Sequence, residues 1–190
     1  FYGAIGSIES AAIMGELGLP PLCLSSFPDH LLRRILETWA ATARERGGDG
    51  GAPAFPISIK CFVARTDEEA REQALRYLPK FFELQVRHYQ SDNAPWGNIA
   101  GYQQFNRMFG NLRKLTDPAN LGPYLAQNLV GSPDTVVRRL GELRAVGFDY
   151  FLVSNATYGV PRGVRHDTIR RFAEEVVPRM LAAAPAEVAE

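Results

Sequence analysis

The sequence predicts an α/β protein built on a parallel sheet. Three observations carry that expectation. Apolar runs at residues 1–5, 22–25, 56–64 and 148–154 read as strands. Each run is followed by a stretch with helical spacing of its apolar residues. A capping residue marks most of the junctions. Alternation of strands and capped helices means parallel pairing, in a doubly wound sheet or a barrel. Four strand–helix units are half of a (β/α)8 barrel, which takes ~250 residues in all.

The first unit organises the rest. Residues 1–5 are aromatic, small or β-branched, and Gly6 turns the chain without a Cβ penalty. Ser7 is an N-cap for a helix over 8–17, and Gly18 ends it in the C′ position. Ser7 and Ser10 stand three apart, so both hydroxyls sit at the first turn among the free N–H groups. A strand feeding such a turn makes an anion site, with phosphate as the usual guest. The same residues also suit a plain cap and a solvated first-turn serine.

In the second unit residues 22–25 do not alternate, which marks a strand buried on both faces. Pro28 or Asp29 then opens a helix whose face is Leu31, Leu32, Ile35, Leu36 and Trp39, running to about Arg46. Residues 47–51 are a glycine-rich loop. The third strand, 56–64, is the clearest. Thr66 with Glu69 forms a capping box at the start of the next helix, and Pro79 is expected to bend or interrupt it. A further helical stretch, 81–89, carries Phe82, Val86 and Tyr89 on one side.

Residues 79–127 read as a helical insertion, most distinct in character from residue 91 onward. A loop at 91–97 contains Trp96, an amphipathic stretch at 99–115 carries Tyr102, Phe105, Phe109 and Leu112, and Asp117-Pro118 starts a short helix toward Leu129. Such excursions often border an active-site mouth. A helical pair burying its own aromatics fits the same pattern. Residues 91–127 are expected on the same side of the sheet as the loop 154–162.

Regularity resumes at Ser132-Pro133-Asp134, where a cap, a proline at the first helical position and an acid complement one another. Val136, Leu140 and Leu143 give the buried face, and Gly147 stops the helix. After the strand 148–154, the last helix, 165–181, is expected to bury Ile169, Phe172, Val176 and Met180. Residues from Ala182 on read as a frayed tail.

Composition narrows the classes. The 190 residues are 46% hydrophobic and 22% charged, with 21 basic and 21 acidic side chains, so no clustered positive charge speaks for nucleic acid. No apolar run approaches the ~20 residues of a membrane span. Cys23 and Cys61 lie in apolar strand-like segments and read as buried free thiols of a cytoplasmic protein, Cys61 in a packing role. His30, His88 and His166 are too far apart for metal-ligand spacing. Arg162, Arg165 and His166 read as a salt-bridged helix start.

Several segments together resemble the bacterial luciferase-like, flavin-dependent monooxygenases. Gly6-Ser7-Ile8-Glu9-Ser10-Ala11-Ala12 is similar to the family's segment after strand five, and residues 62–70 to its strand-seven segment and helix start. Residues 129–136 with 147–151 resemble the helix and strand that close the barrel, and residues 172–178 its last helix. The resemblance covers about two thirds of the chain and leaves 79–127 unmatched. It implies a (β/α)8 TIM-type barrel of which residues 1–190 form the C-terminal half, strands five to eight. It implies reduced FMN as cofactor, or deazaflavin F420 as in relatives, and O2 chemistry on a small organic substrate. A flavin reductase is the implied partner. The flavin phosphate would sit at Gly6, Ser7, Ile8 and Ser10, in agreement with the anion site read from the residues. Most acid–base and ring contacts come from the first four strands, so the catalytic residues stay unknown.

Ser154, Asn155 and Tyr158 lie at or after the end of the last strand, where barrel active sites are built, and are candidate substrate contacts; ordinary loop residues would look the same. Two other classes stay open. A phosphate-binding isomerase or aldolase barrel would use a similar turn, although Lys60 lies mid-strand rather than at a strand end suited to a Schiff base. A non-enzymatic flavin-binding half-barrel is the other. The inner face of a half-barrel would expose more apolar surface than a monomer tolerates, so a missing N-terminal half, a homo-oligomer partner or residues 91–127 must cover it.

Overall fold

The computed structural model describes residues 1–48, 50, 54–89, 110–155 and 158–182. Its longest strand, β3 (Pro56–Val63), is where the sheet is assembled. β1 (Gly3–Ala4) pairs with β2 (Pro21–Leu24), β2 with β3, and β3 with β5 (Tyr150–Ser154), all in parallel. The four expected strands therefore stand in the expected order. A fifth, β4 (Leu129–Gly131), pairs with the last residues of β3, a strand that the sequence does not announce.

β2 and β4 share one edge of β3, one after the other. The Ser25 N–H donates to the Ser58 carbonyl, and further along the Ala64 N–H donates to the Gly131 carbonyl. Asn128 fills the step between them. Its Oδ1 accepts from the Lys60 N–H at 2.9 Å and from the Ser25 hydroxyl at 2.6 Å, and its Nδ2 donates to the Tyr124 carbonyl at 2.8 Å. A buried side-chain amide thus replaces strand partners that are missing there.

Alternation along β3 sorts its two faces. Ile57, Ile59, Cys61 and Val63 are fully buried against α2 (Asp29–Glu45) and α5 (Pro133–Val146), through Leu32, Ile35, Trp39, Val136, Leu140 and Leu143. Each such aliphatic side chain contributes about 1.5–3 kcal/mol. Register carries the opposite face across the sheet. Ser58 stands beside Leu24 and Leu152, Pro56 beside Tyr150, Lys60 beside Ser154, and Ala4 beside Leu22. The N-terminal rows of this face are bare, with Leu24 43%, Tyr150 51% and Leu152 38% exposed.

The C-terminal row is roofed. Phe62 packs with Leu78 and Phe82 of α3 (Asp67–His88), with Tyr124 and Leu125 of α4 (Gly122–Gln127), and with Leu121 and Val160. α3 runs unbroken through Pro79, because packing of Ala74, Leu78 and Phe82 outweighs the one hydrogen bond a proline removes. Tyr89 follows the helix as its C-cap and is exposed, so it leaves the side that Phe82 and Val86 share.

Caps form largely as the sequence indicates. Ser7 starts α1 (Ile8–Glu16), and Gly18, at φ +67°, ends it with its N–H bonded to Gly15 and that of Leu19 to Met14. Thr66 accepts from the Glu69 N–H, but the Glu69 carboxylate reaches the N–H of Arg65, one residue short of the expected reciprocal partner. Cys23 and Cys61 are buried free thiols, as expected, and burial pushes the Cys23 pKa up to about 12.

The last helix corrects one expectation. α6 (Arg162–Arg171) passes through a π-helical turn, Phe172–Val176, into α7 (Val177–Ala182). The wider turn keeps residues four apart in line, so the inward stripe is Thr168, Val176 and Met180, all buried, with Phe172 partly buried among them. Ile169 is left 55% exposed. The loop 91–97, with Trp96, and the stretch 99–109, with Tyr102 and Phe105, lie outside the described residues, as does the tail from residue 183.

Candidate functional site

Parallel strands followed by helices gather strand C-termini and helix N-termini at one end of the sheet. Four groups of residues meet that description. At the end of β1 the chain turns at Gly6, where an added Cβ would meet only Phe27 Cζ at 3.7 Å, so the turn is open. Ser7 is the N-cap of α1, and its Oγ accepts from the Ser10 N–H at 3.1 Å. Its Oγ also lies 3.1 Å from that of Ser10. One hydroxyl proton is spent between the pair and the other stays available at the positive end of a nine-residue helix. That donor set fits a phosphate.

At the end of β2 stands Ser25, held by Asn128. Two residues before the last pair of β3 is Lys60, on the face away from the main helices. Its ammonium lies 4.1 Å from the centroid of the Phe81 ring, a cation–π contact. Phe81 stands edge-on to Phe82, and Phe82 edge-on to Tyr124, at 5.3 and 5.0 Å. Burial lowers the Lys60 pKa, and no carboxylate among the described residues lies within ion-pair distance of it.

At the end of β5, Ser154 is in register with Lys60. The Asn155 amide is engaged, donating to the Arg165 carbonyl at 2.8 Å, and Tyr158 is 62% exposed. The expected salt-bridged start of the last helix is a different contact: Arg162 Nε donates to His166 Nε2 at 3.4 Å. Residues 110–127 meet the segment after β5 as expected, since Leu112, Leu115, Leu121 and Tyr124 share one apolar cluster with Val160 and Val164.

The helix starts beside this end are tied together. Asp67 Oδ1 accepts from the Ser132 N–H at 2.6 Å and Oδ2 from the Thr135 hydroxyl at 2.9 Å, which holds its carboxyl below the usual range. Gly131 is required there, because a Cβ would stand 2.8 Å from Asp67 Oδ1 and from Thr135 Cβ. Sequence reading overlooked Asn128 and the surroundings of Lys60. A lone polar residue before a three-residue strand carries no pattern, but the alternation of Ser58, Lys60 and Phe62 against Ile57, Ile59 and Cys61 does place Lys60 on the face opposite that core. Among the described residues no three His, Cys, Asp or Glu side chains group to hold a metal, and no helix is long and apolar enough to cross a membrane.

Parallel β/α units, with a serine-capped helix start after the first strand, define an α/β protein of the parallel-sheet class. Comparison with known proteins narrows it. A family model described as luciferase-like monooxygenase matches residues 1–150, and the chain belongs to that family. It is 27% identical over 176 residues to 2,5-diketocamphane 1,2-monooxygenase 2 of Pseudomonas putida, covering 87% of this chain and 45% of that protein. Two solved structures share its fold. One is the oxygenating constituent of 3,6-diketocamphane monooxygenase, a type II Baeyer–Villiger monooxygenase from Pseudomonas putida, in complex with FMN. It matches at a TM-score of 0.61 and 22% identity over 94% of this chain and 48% of that one. The other is an F420-dependent secondary alcohol dehydrogenase, at a TM-score of 0.59 and 15% identity over 94% and 48%. The chain spans about half the length of these relatives.

Proposed function

We propose that this chain supplies strands five to eight of a (β/α)8 barrel and the phosphate-binding turn of a flavin-dependent monooxygenase that uses reduced FMN and O2. The observation that carries the reading is the Ser7–Ser10 turn, at the C-terminal end of the first strand of a chain of this family. The Ser7 and Ser10 hydroxyls and the Ile8 N–H would hold the phosphate, with Gly6 leaving room for it. The Ser10 N–H is engaged by Ser7 and serves to orient its hydroxyl. Bound reduced FMN supplies the two electrons with which one oxygen atom of O2 enters a small organic substrate and the other leaves as water. The chain's own part is to bind, orient and exclude water. The cluster of Phe62, Phe82 and Tyr124 would cover the C-terminal end, and Ser154, in register with Lys60, would face the substrate with Asn155 and Tyr158 beyond it. The reductant would come from a flavin reductase, and the protein would work in the cytoplasm.

Titration with FMN and with F420, followed by flavin fluorescence, tests the reading in the protein purified in full length. Saturable 1:1 binding of FMN, with O2 uptake that depends on an added flavin reductase and NAD(P)H, is the expected result. Preference for F420 would instead favour an F420-dependent oxidoreductase, a reading that the fold likeness to the alcohol dehydrogenase supports. Tight FMN binding without O2 uptake would leave a non-catalytic flavin-binding protein.

A further inference from the structure

We infer that Lys60 is the cation that meets the pyrimidine edge of the bound flavin ring, an inference that rests on the flavin reading above. Three independent features of its place lead there. β1 and β3 are separated by β2 alone, so the phosphate turn and Lys60 stand two strand spacings apart, ~10 Å. That separation suits a ribityl chain, which carries the ring away from a phosphate held at Ser7 and Ser10. Lys60 also lies on the face whose upper row is roofed and whose lower rows are bare, between Ser58 and Phe62 and beside Ser154.

The third feature is preorganisation without an anion. The Lys60 backbone is held by Asn128, and its ammonium lies over Phe81, which is braced in turn by Phe82 and Tyr124. A partly buried cation needs a negative partner, and the described residues offer none within ion-pair distance. The N1 and O2 atoms of a flavin are electron-rich, and they take up negative charge when the ring gains two electrons. A fixed ammonium there binds the reduced flavin more tightly than the oxidised one. It thereby raises the potential of the bound couple.

The test compares wild type, Lys60→Met and Lys60→Arg in the full-length protein, with FMN as the probe. Two quantities are read: affinity for oxidised FMN by fluorescence, and the midpoint potential of bound FMN by spectroelectrochemistry. Lys60→Met should leave oxidised binding nearly unchanged and weaken reduced binding about tenfold. For a two-electron couple that is a fall of about 30 mV. Lys60→Arg should keep most of the wild-type potential. Lys60→Gln carries the same test if the methionine variant does not fold. An unchanged potential, or equal losses for both redox forms, overturns the inference while wild-type FMN binding keeps the flavin reading intact. An unchanged potential with a raised KM for carboxylate-bearing substrates alone would reassign Lys60 to the substrate. Failure of the wild type to bind FMN overturns both.

Discussion

Single residues do the joining in this molecule. Asn128 makes three hydrogen bonds that connect the residue after β2 with β3 and α4, and Ser25, Tyr124 and Asn128 itself are buried. Asn128→Ala should cost ~2–4 kcal/mol, since each bond is worth ~0.5–1.5 and buried groups are left unpaired. Chemical denaturation measures it, and a loss below about 0.5 kcal/mol would mean that solvent fills the gap. Asp29 is a second joint. Both of its oxygens bind the Arg139 guanidinium at 2.7 Å, and Arg139 also reaches Glu142 and the Gln127 carbonyl. The hydrogen bond to Arg139 holds the Asp29 pKa below its ordinary value. A depressed carboxylate stabilises the fold above the unfolded pKa of ~3.9 and loses that contribution as pH falls through the folded value. Melting temperature should therefore decline from about pH 5 downward, and Asp29→Asn should lower it at pH 7 while flattening that acid limb. An acid limb of unchanged slope in Asp29→Asn would contradict the assignment. Neither joint was legible beforehand. Asn128 meets Ser25 at 103 residues' separation and Asp29 meets Arg139 at 110, and side-chain chemistry alone does not say which of many polar residues will meet.

Elements were more legible, because caps and apolar spacing act within a few residues. Ser7, Thr66, Ser132 and Gly18 mark helix ends that their own chemistry dictates. The misreadings arose where tertiary contact overrode a local signal. Pro79 does not end α3, since its flanking residues are held in an apolar cluster. Ile169 is exposed because the π-helical turn moves the stripe to Thr168. Ile169→Gln should accordingly stay within about 0.5 kcal/mol of wild type, whereas Thr168→Glu should cost more than about 2 kcal/mol by burying a charge. The reverse order in thermal melts would restore the stripe expected from the sequence. The junction of α3 and α5 gives a second test at this scale. Gly131→Ala should destabilise by ~1–3 kcal/mol through crowding against Thr135 and Asp67. Combining it with Thr135→Ser, which removes the methyl, should recover part of the loss. Strict additivity would show that crowding is not the cause.

At the scale of the whole molecule, the alternation of strands and helices sufficed to give parallel order, and the family likeness confirms the type of fold. The short β4 escaped because three residues are too few to carry a period. What the sheet leaves open is as informative as what it closes. Leu24, Tyr150 and Leu152 share a bare face, next to Ser58, in a chain spanning about half of its relatives. The 190-residue chain on its own should associate with rising concentration, and Leu24→Gln with Leu152→Gln should reduce that association in sedimentation velocity. A monodisperse monomer at all concentrations would mean that the face is covered by other means. The central claim, however, is the phosphate turn. The measurement that tests it most directly is the affinity of FMN and of riboflavin for wild type and for the Ser7→Ala, Ser10→Ala double variant, with melting followed in parallel. Losing hydrogen bonds to a charged group at ~1.5–3 kcal/mol should weaken FMN binding by one to two orders of magnitude. Riboflavin, which lacks the phosphate, should bind both proteins alike. Equal losses for the two ligands would contradict the account and make the serines purely structural.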